Sequence, residues 1–458
     1  MMTEGLSAAP APSQSSTSAQ ASVVAHTTTH LGRHLPQGSA RERLPPVRIS
    51  SLWLRAGSIA VVGAVAAACA TNASADGPPV SRHSHRTAVT SVGGAGAAGG
   101  GAAVAAGSNV TGPVQAASVA ALSARQLAGQ RVIYSYKGHN PPASLLTLIR
   151  HGEAAGVVFF GGNITSKTQI AAVIHKLEAA NAATTNPVRT PLLLMTDQEG
   201  GLVRRLPGAP LLSEKKIGEA AQPGTAAATA GKNAALNLRS VGMNLNLAPV
   251  LDVYRTPGDF DDQNQRSYSK NPHTVSALGS DFINAQQKGG VAATAKHFPG
   301  LGAATKNQNT DKAPVTLHVT KATLRATDEL PYKAAIADKA RLVMVSWAVY
   351  PALDAARPAG LSSKIVQGEL RSRLGFGGVT VTDALEAGAL RAYGSTQNRA
   401  LLAAKAGMDL LLCSGQNVAE GVQCMDGLEN GYNSGSLPHP AFKAADQRVM
   451  SLRATLQP

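Results

Sequence analysis

Eight short apolar runs, each rich in β-formers and each separated from the next by room for a helix, constrain this chain more than any other feature of it. They are RVIYSY (131–136), GVVFF (156–160), PLLLMTD (191–197), MNLNLAPVLDV (243–253), VAATAKHF (291–298), RLVMVSW (341–347), GVTVTDA (378–384) and MDLLLC (408–413). The segments between them, such as SKTQIAAVIHKLEAANAA and TQNRALLAAKAG, have helical composition. Strands that are apolar nearly throughout are covered on both faces, as parallel strands joined by helical crossovers must be. Eight such units from Gln126 onward predict an α/β fold of the (β/α)8 TIM-like barrel type, in one domain over 126–458.

Residues 1–125 have a different texture. Ala, Ser, Thr, Gly and Pro dominate, aromatics are almost absent, and one stretch reads SVGGAGAAGGGAAVAAG. Such a segment buries too little apolar surface to offset the entropy of ordering it, so a largely disordered extension is expected. Within it, Arg48 and Arg55 precede an apolar run from Ala56 to Ala70, followed by small residues. Over about 47–70 this is the order of a secretory signal, and Cys69 after VAAA hints at a lipoprotein cysteine. The run is shorter than the ~20 residues a spanning helix needs. Export is expected, with the protein secreted or attached to the outer face of the membrane or cell wall and a translation start downstream of Met1, near Val47. An Ala-rich linker on a cytoplasmic protein is the other reading.

The net charge is +15, but aromatic content is only 4% and no Lys/Arg run interleaves with aromatics, so nucleic acid is not an expected partner. Neither cysteine spacing nor neighbouring histidines suggest zinc; Cys413 and Cys424 are either a pair or two free thiols. No extended apolar heptad points to an oligomer, and a monomer is expected.

The ionisable residues fall where the runs end. Asp197 closes the third, Asp252 lies at the end of the fourth, Lys296 and His297 of the fifth, Asp383 of the seventh. In such a barrel the C-terminal strand ends surround the active site, so these groups are placed for chemistry.

The stretch MTDQEGGLVRRLPG (195–208), followed in order by NLNLAPVLDV, RSYS, KHFPGLG, MVSWAVYPALD, LSS and GFGGVTVTDALEAGAL, resembles family 3 glycoside hydrolases and their single-domain β-N-acetylhexosaminidases. The resemblance covers nearly all of 126–415. It implies a retaining β-glycosidase acting on carbohydrate, most often a β-linked N-acetylglucosamine or glucosyl unit of cell-wall or chitin origin, without metal or organic cofactor. It implies that Asp383 is the catalytic nucleophile, the ionised carboxylate that a retaining glycosidase needs beneath the anomeric carbon. It implies that Asp197, Arg266, Lys296 and His297 bind the sugar, and that Asp252 orients its neighbours. Arg204 and Arg205 read as surface.

The family's acid/base is missing. Where the related loop carries an Asp-Ser-His pattern, this chain has LGAATKNQNTD (301–311), with Leu301 in place of the first histidine and no histidine up to Asp311. Asp311 is the remaining donor in the loop, and a carboxylic acid serves if its pKa is raised; as a turn residue in NTDKAP it would have no such role. Glu386, one turn past Asp383, is expected to point away on a helix. Two functions stand: a glycosidase with a substituted acid, or a sugar- or wall-binding barrel that has lost it.

Overall fold

The computed structural model describes residues 119–456. The segment at 47–70 and Cys69 lie outside the described residues. All eight expected strands form: β1 Val132–Tyr134, β2 Gly156–Val158, β3 Leu193–Thr196, β4 Leu245–Asn246, β5 Ala292–Phe298, β6 Leu342–Val345, β7 Val379–Ala384 and β8 Leu410–Leu412. They close in chain order into a parallel barrel, β8 returning to β1 through Val132↔Leu411.

The continuous apolar runs are explained by burial on both faces. Ile133, Leu193, Met195, Val379 and Val381 belong to a cluster inside the barrel, while the alternating Val132, Tyr134 and Leu194 belong to the layer under the helices. Each such side chain contributes roughly 1.5–3 kcal/mol by leaving water. The last helix, His439–Ala454, adds Val449 and Leu452, with Leu456 beyond it, to the interior cluster. Its Arg453, fully buried, donates to the carbonyls of Pro191 (2.8 Å) and Thr190 (3.1 Å) just before β3, and to Oε1 of Gln130.

The described residues extend upstream of Gln126. Ser123 caps the helix Ala124–Gly129 with a capping box closed by Gln126, and Val119 and Leu122 are buried. Arg125 pairs with Glu153 (3.3 Å), Asp426 (3.0 Å) and Glu429 (2.9 Å), tying the entry of the domain to its penultimate helix. Cys413, directly after β8, is bonded to Cys424 in that helix. Among the described residues no helix is long and apolar enough to cross a membrane.

After β3 the chain makes a two-stranded ribbon, Gln198–Gly200 against Val203–Arg204. Its turn uses two glycines for cause: Gly200 has φ +122° and Gly201 φ +52°, and a Cβ on Gly200 would lie 2.2 Å from the carbonyl oxygen of Leu212. The tight turn brings Leu202, Val203 and Arg205 to the open end of the barrel.

Candidate active site

The C-terminal ends of the strands open on a cavity of about 720 Å3, within the range of small-molecule sites. Asp197, Arg266, Lys296, His297, Asp311 and Asp383, the six residues singled out from the sequence, all line it.

On the β3 and β5 side lies a buried ionic cluster. Lys296, 2% exposed, donates to Asp197 Oδ1 at 2.8 Å and pairs with Glu199 Oε1 at 2.7 Å. Arg266 donates its Nε and Nη2 to the two oxygens of Glu199 at 2.9 and 2.8 Å, a bidentate pair. Two cations thus face two carboxylates, which is the condition for holding such charges out of water. Burial draws the Lys296 ammonium down, but the Asp197 and Glu199 charges outweigh it and the net shift is upward. For Glu199 burial pushes up, and Arg266 with Lys296 overcomes it, holding the carboxyl well below the usual range.

His297 is oriented from behind by Asp252. Nδ1 stands 2.7 Å from Asp252 Oδ2, while Oδ1 accepts the backbone N–H of His297 (3.3 Å) and of Leu301 (2.6 Å). This leaves Nε2 for the cavity. Burial lowers the imidazole's pKa, the Asp252 carboxylate raises it, and the balance is upward.

Asp383 ends β7, half-buried, with Oδ1 accepting the N–H of Ala384 at 2.8 Å. The loop bearing Asp311 is laced to the segment that follows β7: Gly388 N–H donates to the Asp311 carbonyl (2.8 Å) and Ala389 N–H to that of Thr310 (3.0 Å). Asn309 Oδ1 accepts the Asp311 N–H at 2.8 Å, so the residue sits in an Asx turn as its sequence suggests, yet its side chain reaches the cavity. Asp311 is open to water through the cavity mouth, but the walls displace much of the bulk solvent. Burial and then the Asp383 charge raise its carboxyl from the ordinary value, against the lowering effect of His297 and Arg266.

Three placements differ from the sequence reading. Glu386 does not point away: the helical turn after β7 begins only at Gly388, and Glu386 lines the cavity with Oε1 accepting from Ser414 Oγ at 2.7 Å. Arg205 lines the cavity with its Nε buried and unpaired, whereas Arg204 donates to the Gly208 carbonyl outside it. Glu199, which joins Lys296 to Arg266, was not singled out at all; its only local signal is its place in DQEGG. Asp252 stays out of the cavity lining and acts on His297, as expected. Among the described residues no group of three or more His, Cys, Asp or Glu is arranged to hold a metal ion.

Residues 122–452 match the glycosyl hydrolase family 3 N terminal domain. The chain is 43% identical over 341 residues to an uncharacterized secreted glycosyl hydrolase of Arthroderma benhamiae, covering 74% of this chain and 96% of that protein. It is 34% identical over 292 residues to a β-hexosaminidase of Xanthomonas axonopodis pv. citri, covering 61% and 82%. Among solved structures it is similar to a family 3 β-N-acetylglucosaminidase from Paenibacillus (TM-score 0.68, 32% identity, 73% of this chain), of which it spans 63%. It is also similar to a β-N-acetylhexosaminidase from Beutenbergia cavernae (TM-score 0.66, 30% identity, 72% of this chain and 98% of that one). A closed eight-stranded barrel with its ionisable groups at the strand ends, and a family match over nearly all of it, agree: the chain belongs to glycosyl hydrolase family 3.

Proposed function

We propose that the protein is a retaining β-N-acetylhexosaminidase in which Asp383 is the nucleophile and Asp311 the acid/base. The observation that carries the reading is the pairing of these two carboxyl groups in one cavity, the second raised by burial and by the charge of the first. Two carboxyl groups whose environments push their pKa values apart can divide the roles of nucleophile and acid.

In the first step Asp383 attacks the anomeric carbon as the bond to the leaving oxygen breaks, and that oxygen takes the Asp311 proton. An ester between Asp383 and the sugar results. Water then attacks the anomeric carbon, Asp311 takes its proton, and the ester breaks, releasing the sugar with its configuration retained and both carboxyls as they began. Asp197, Lys296, Arg266 and the free Nε2 of His297 hold the sugar's hydroxyls by charge-assisted hydrogen bonds. The 2-acetamido preference rests on the β-hexosaminidase and β-N-acetylglucosaminidase relatives.

The test is Asp311→Asn on two substrates. General acid help is worth ~10²–10⁴-fold where the leaving group is poor and little where it is good. The variant should lose kcat/KM on chitobiose and keep it on 4-nitrophenyl N-acetyl-β-glucosaminide, while Asp383→Ala loses both. Equal effects of Asp311→Asn on the two substrates would refute the assignment. A barrel that binds sugar without cutting would turn over neither substrate in its native form.

We also infer export, supported by the secreted relative and by the signal-like order at 47–70. N-terminal sequencing of the mature protein should find a start after Ala68, with Cys69 lipidated if the protein is membrane-attached; an intact tail refutes it.

A further inference from the structure

Beneath the sugar-binding cluster lies a carboxyl group that the proposed mechanism does not use. Asp261 belongs to the short helix Phe260–Gln263 in the loop leading to Arg266, and that loop is docked to the next one by Phe260 N–H on the Ala304 carbonyl (3.0 Å) and Gln263 Nε2 on the Lys306 carbonyl (2.8 Å). Asp261 is 1% exposed, and neither of its carboxylate oxygens has a hydrogen-bond partner. Buried polar groups are nearly always satisfied, so two orphaned oxygens on one side chain call for a reason.

Its nearest cation supplies one. Arg266 Nη1 stands 3.7 Å from Asp261 Oδ1, too long for a hydrogen bond. Nε and one N–H of Nη2 are committed to Glu199, which leaves the second N–H of Nη2 and both of Nη1. Nη1 is therefore the nitrogen of Arg266 with no hydrogen bond of its own, open to a sugar hydroxyl, and among the described residues Asp261 is placed to draw it away from the cavity. The backbone reinforces the geometry, because the Arg266 N–H donates to the Asp261 carbonyl at 2.8 Å and fixes the two residues face to face.

We propose that Asp261 is a positioning residue that competes with the sugar for Nη1 of Arg266, so that sugar binding weakens as the solution turns alkaline. Protonated, Asp261 leaves Nη1 to the cavity; ionised, it draws the guanidinium toward itself and closes the gap. Burial and the charges of Asp252 and Glu199 push its carboxyl up to about 7, against the opposing pull of Arg266 and His297. Its neighbour Asp262 is paired with Lys215 at 2.7 Å.

The inference rests on Arg266 serving the sugar, and the experiment separates the two. KM and kcat for 4-nitrophenyl N-acetyl-β-glucosaminide, with calorimetric affinity for N-acetylglucosamine, would be measured from pH 5.5 to 9 on the native protein, Asp261→Asn and Asp261→Ala. In the native protein KM should rise about tenfold with a midpoint near pH 7, the weight of one hydrogen bond to a charged group. Both variants should keep the low KM to pH 9, with kcat following the native profile. A flat native KM overturns the inference without any variant, and variants that follow the native rise assign the titration to another group and overturn it too. Sugar that binds without turnover would refute the glycosidase reading and leave calorimetry to judge Asp261; absence of both turnover and binding removes both.

Discussion

Gly388→Ala tests the proposed acid, Asp311, without touching it. The residue carries no chemistry, but its N–H holds the Asp311 carbonyl at 2.8 Å, and a Cβ there would lie 2.1 Å from the Lys312 carbonyl oxygen, 2.4 Å from the Lys312 carbonyl carbon and 2.9 Å from the Asp311 carbonyl oxygen. Backbone atoms cannot rotate away as a side-chain tip can, so the 310–312 loop must withdraw by ~1 Å to restore an ordinary contact. The two lacing hydrogen bonds are worth ~0.5–1.5 kcal/mol each, so the domain should stay folded. A misplacement of ~1 Å in a catalytic group costs ~100-fold. The expected outcome is a loss of that order in kcat/KM on chitobiose, with kcat/KM on the 4-nitrophenyl glycoside, whose leaving group needs little proton help, kept within a few-fold of native. Near-native cleavage of chitobiose, or an equal loss on both substrates, would show that Asp311 is not the proton donor or that its loop is not placed by Gly388.

Three further outcomes follow from the same structure. Glu199→Gln leaves the buried Arg266 and Lys296 short of a counter-charge; it should cost ~3–5 kcal/mol of stability in denaturant titration and raise KM, and a variant as stable as native would refute the reading. In its proposed role Asp311 donates only when protonated, and its carboxyl is raised, so in the Asp261→Asn background, where KM is expected to stay low, kcat/KM on chitobiose should hold through the ordinary carboxylate range and fall as pH rises past the shifted value; adding Asp311→Asn to that background should abolish the limb. Asp446 is fully buried with both oxygens unpaired and is pushed well above its ordinary value by burial, so its stabilising protonated form is lost as pH rises. Asn mimics that form, so the stability difference between Asp446→Asn and native should be near zero at low pH and grow in favour of the variant toward pH 8; a constant difference would refute the assignment.

The barrel was legible because parallel strands buried on both faces leave an unbroken apolar trace, and each run contains its strand. Run length misled only in detail: MNLNLAPVLDV yields the two-residue strand Leu245–Asn246, since Pro249 has no N–H for the ladder and the chain continues through a single bridge, Val250↔Lys296. The strand-end residues were legible because the topology dictates where strand ends go. Glu199 was not, because a charge beside two glycines reads as an exposed turn, and only Lys296 and Arg266, far along the chain, reveal it as buried. The placement of Glu386 is not legible because its neighbours have helical character while the helical turn starts only at Gly388, and Ser414 from the end of β8 holds the side chain at the cavity. The seating of Asp311 on Gly388 uses backbone atoms alone and leaves no mark in residue identities.

The helix His439–Ala454 gives the barrel's interior its last apolar side chains, and Arg453 stitches it to the start of β3 and to Gln130. During synthesis, Ile133, Leu193 and Val379 therefore wait for a layer that the ribosome supplies only after the eighth strand. A nascent chain stalled before Pro438 would present an open apolar mouth to chaperones and proteases. Closure of the core thus waits for this helix even after all eight strands have emerged, and a product truncated ahead of it is marked for disposal by the surface it cannot cover.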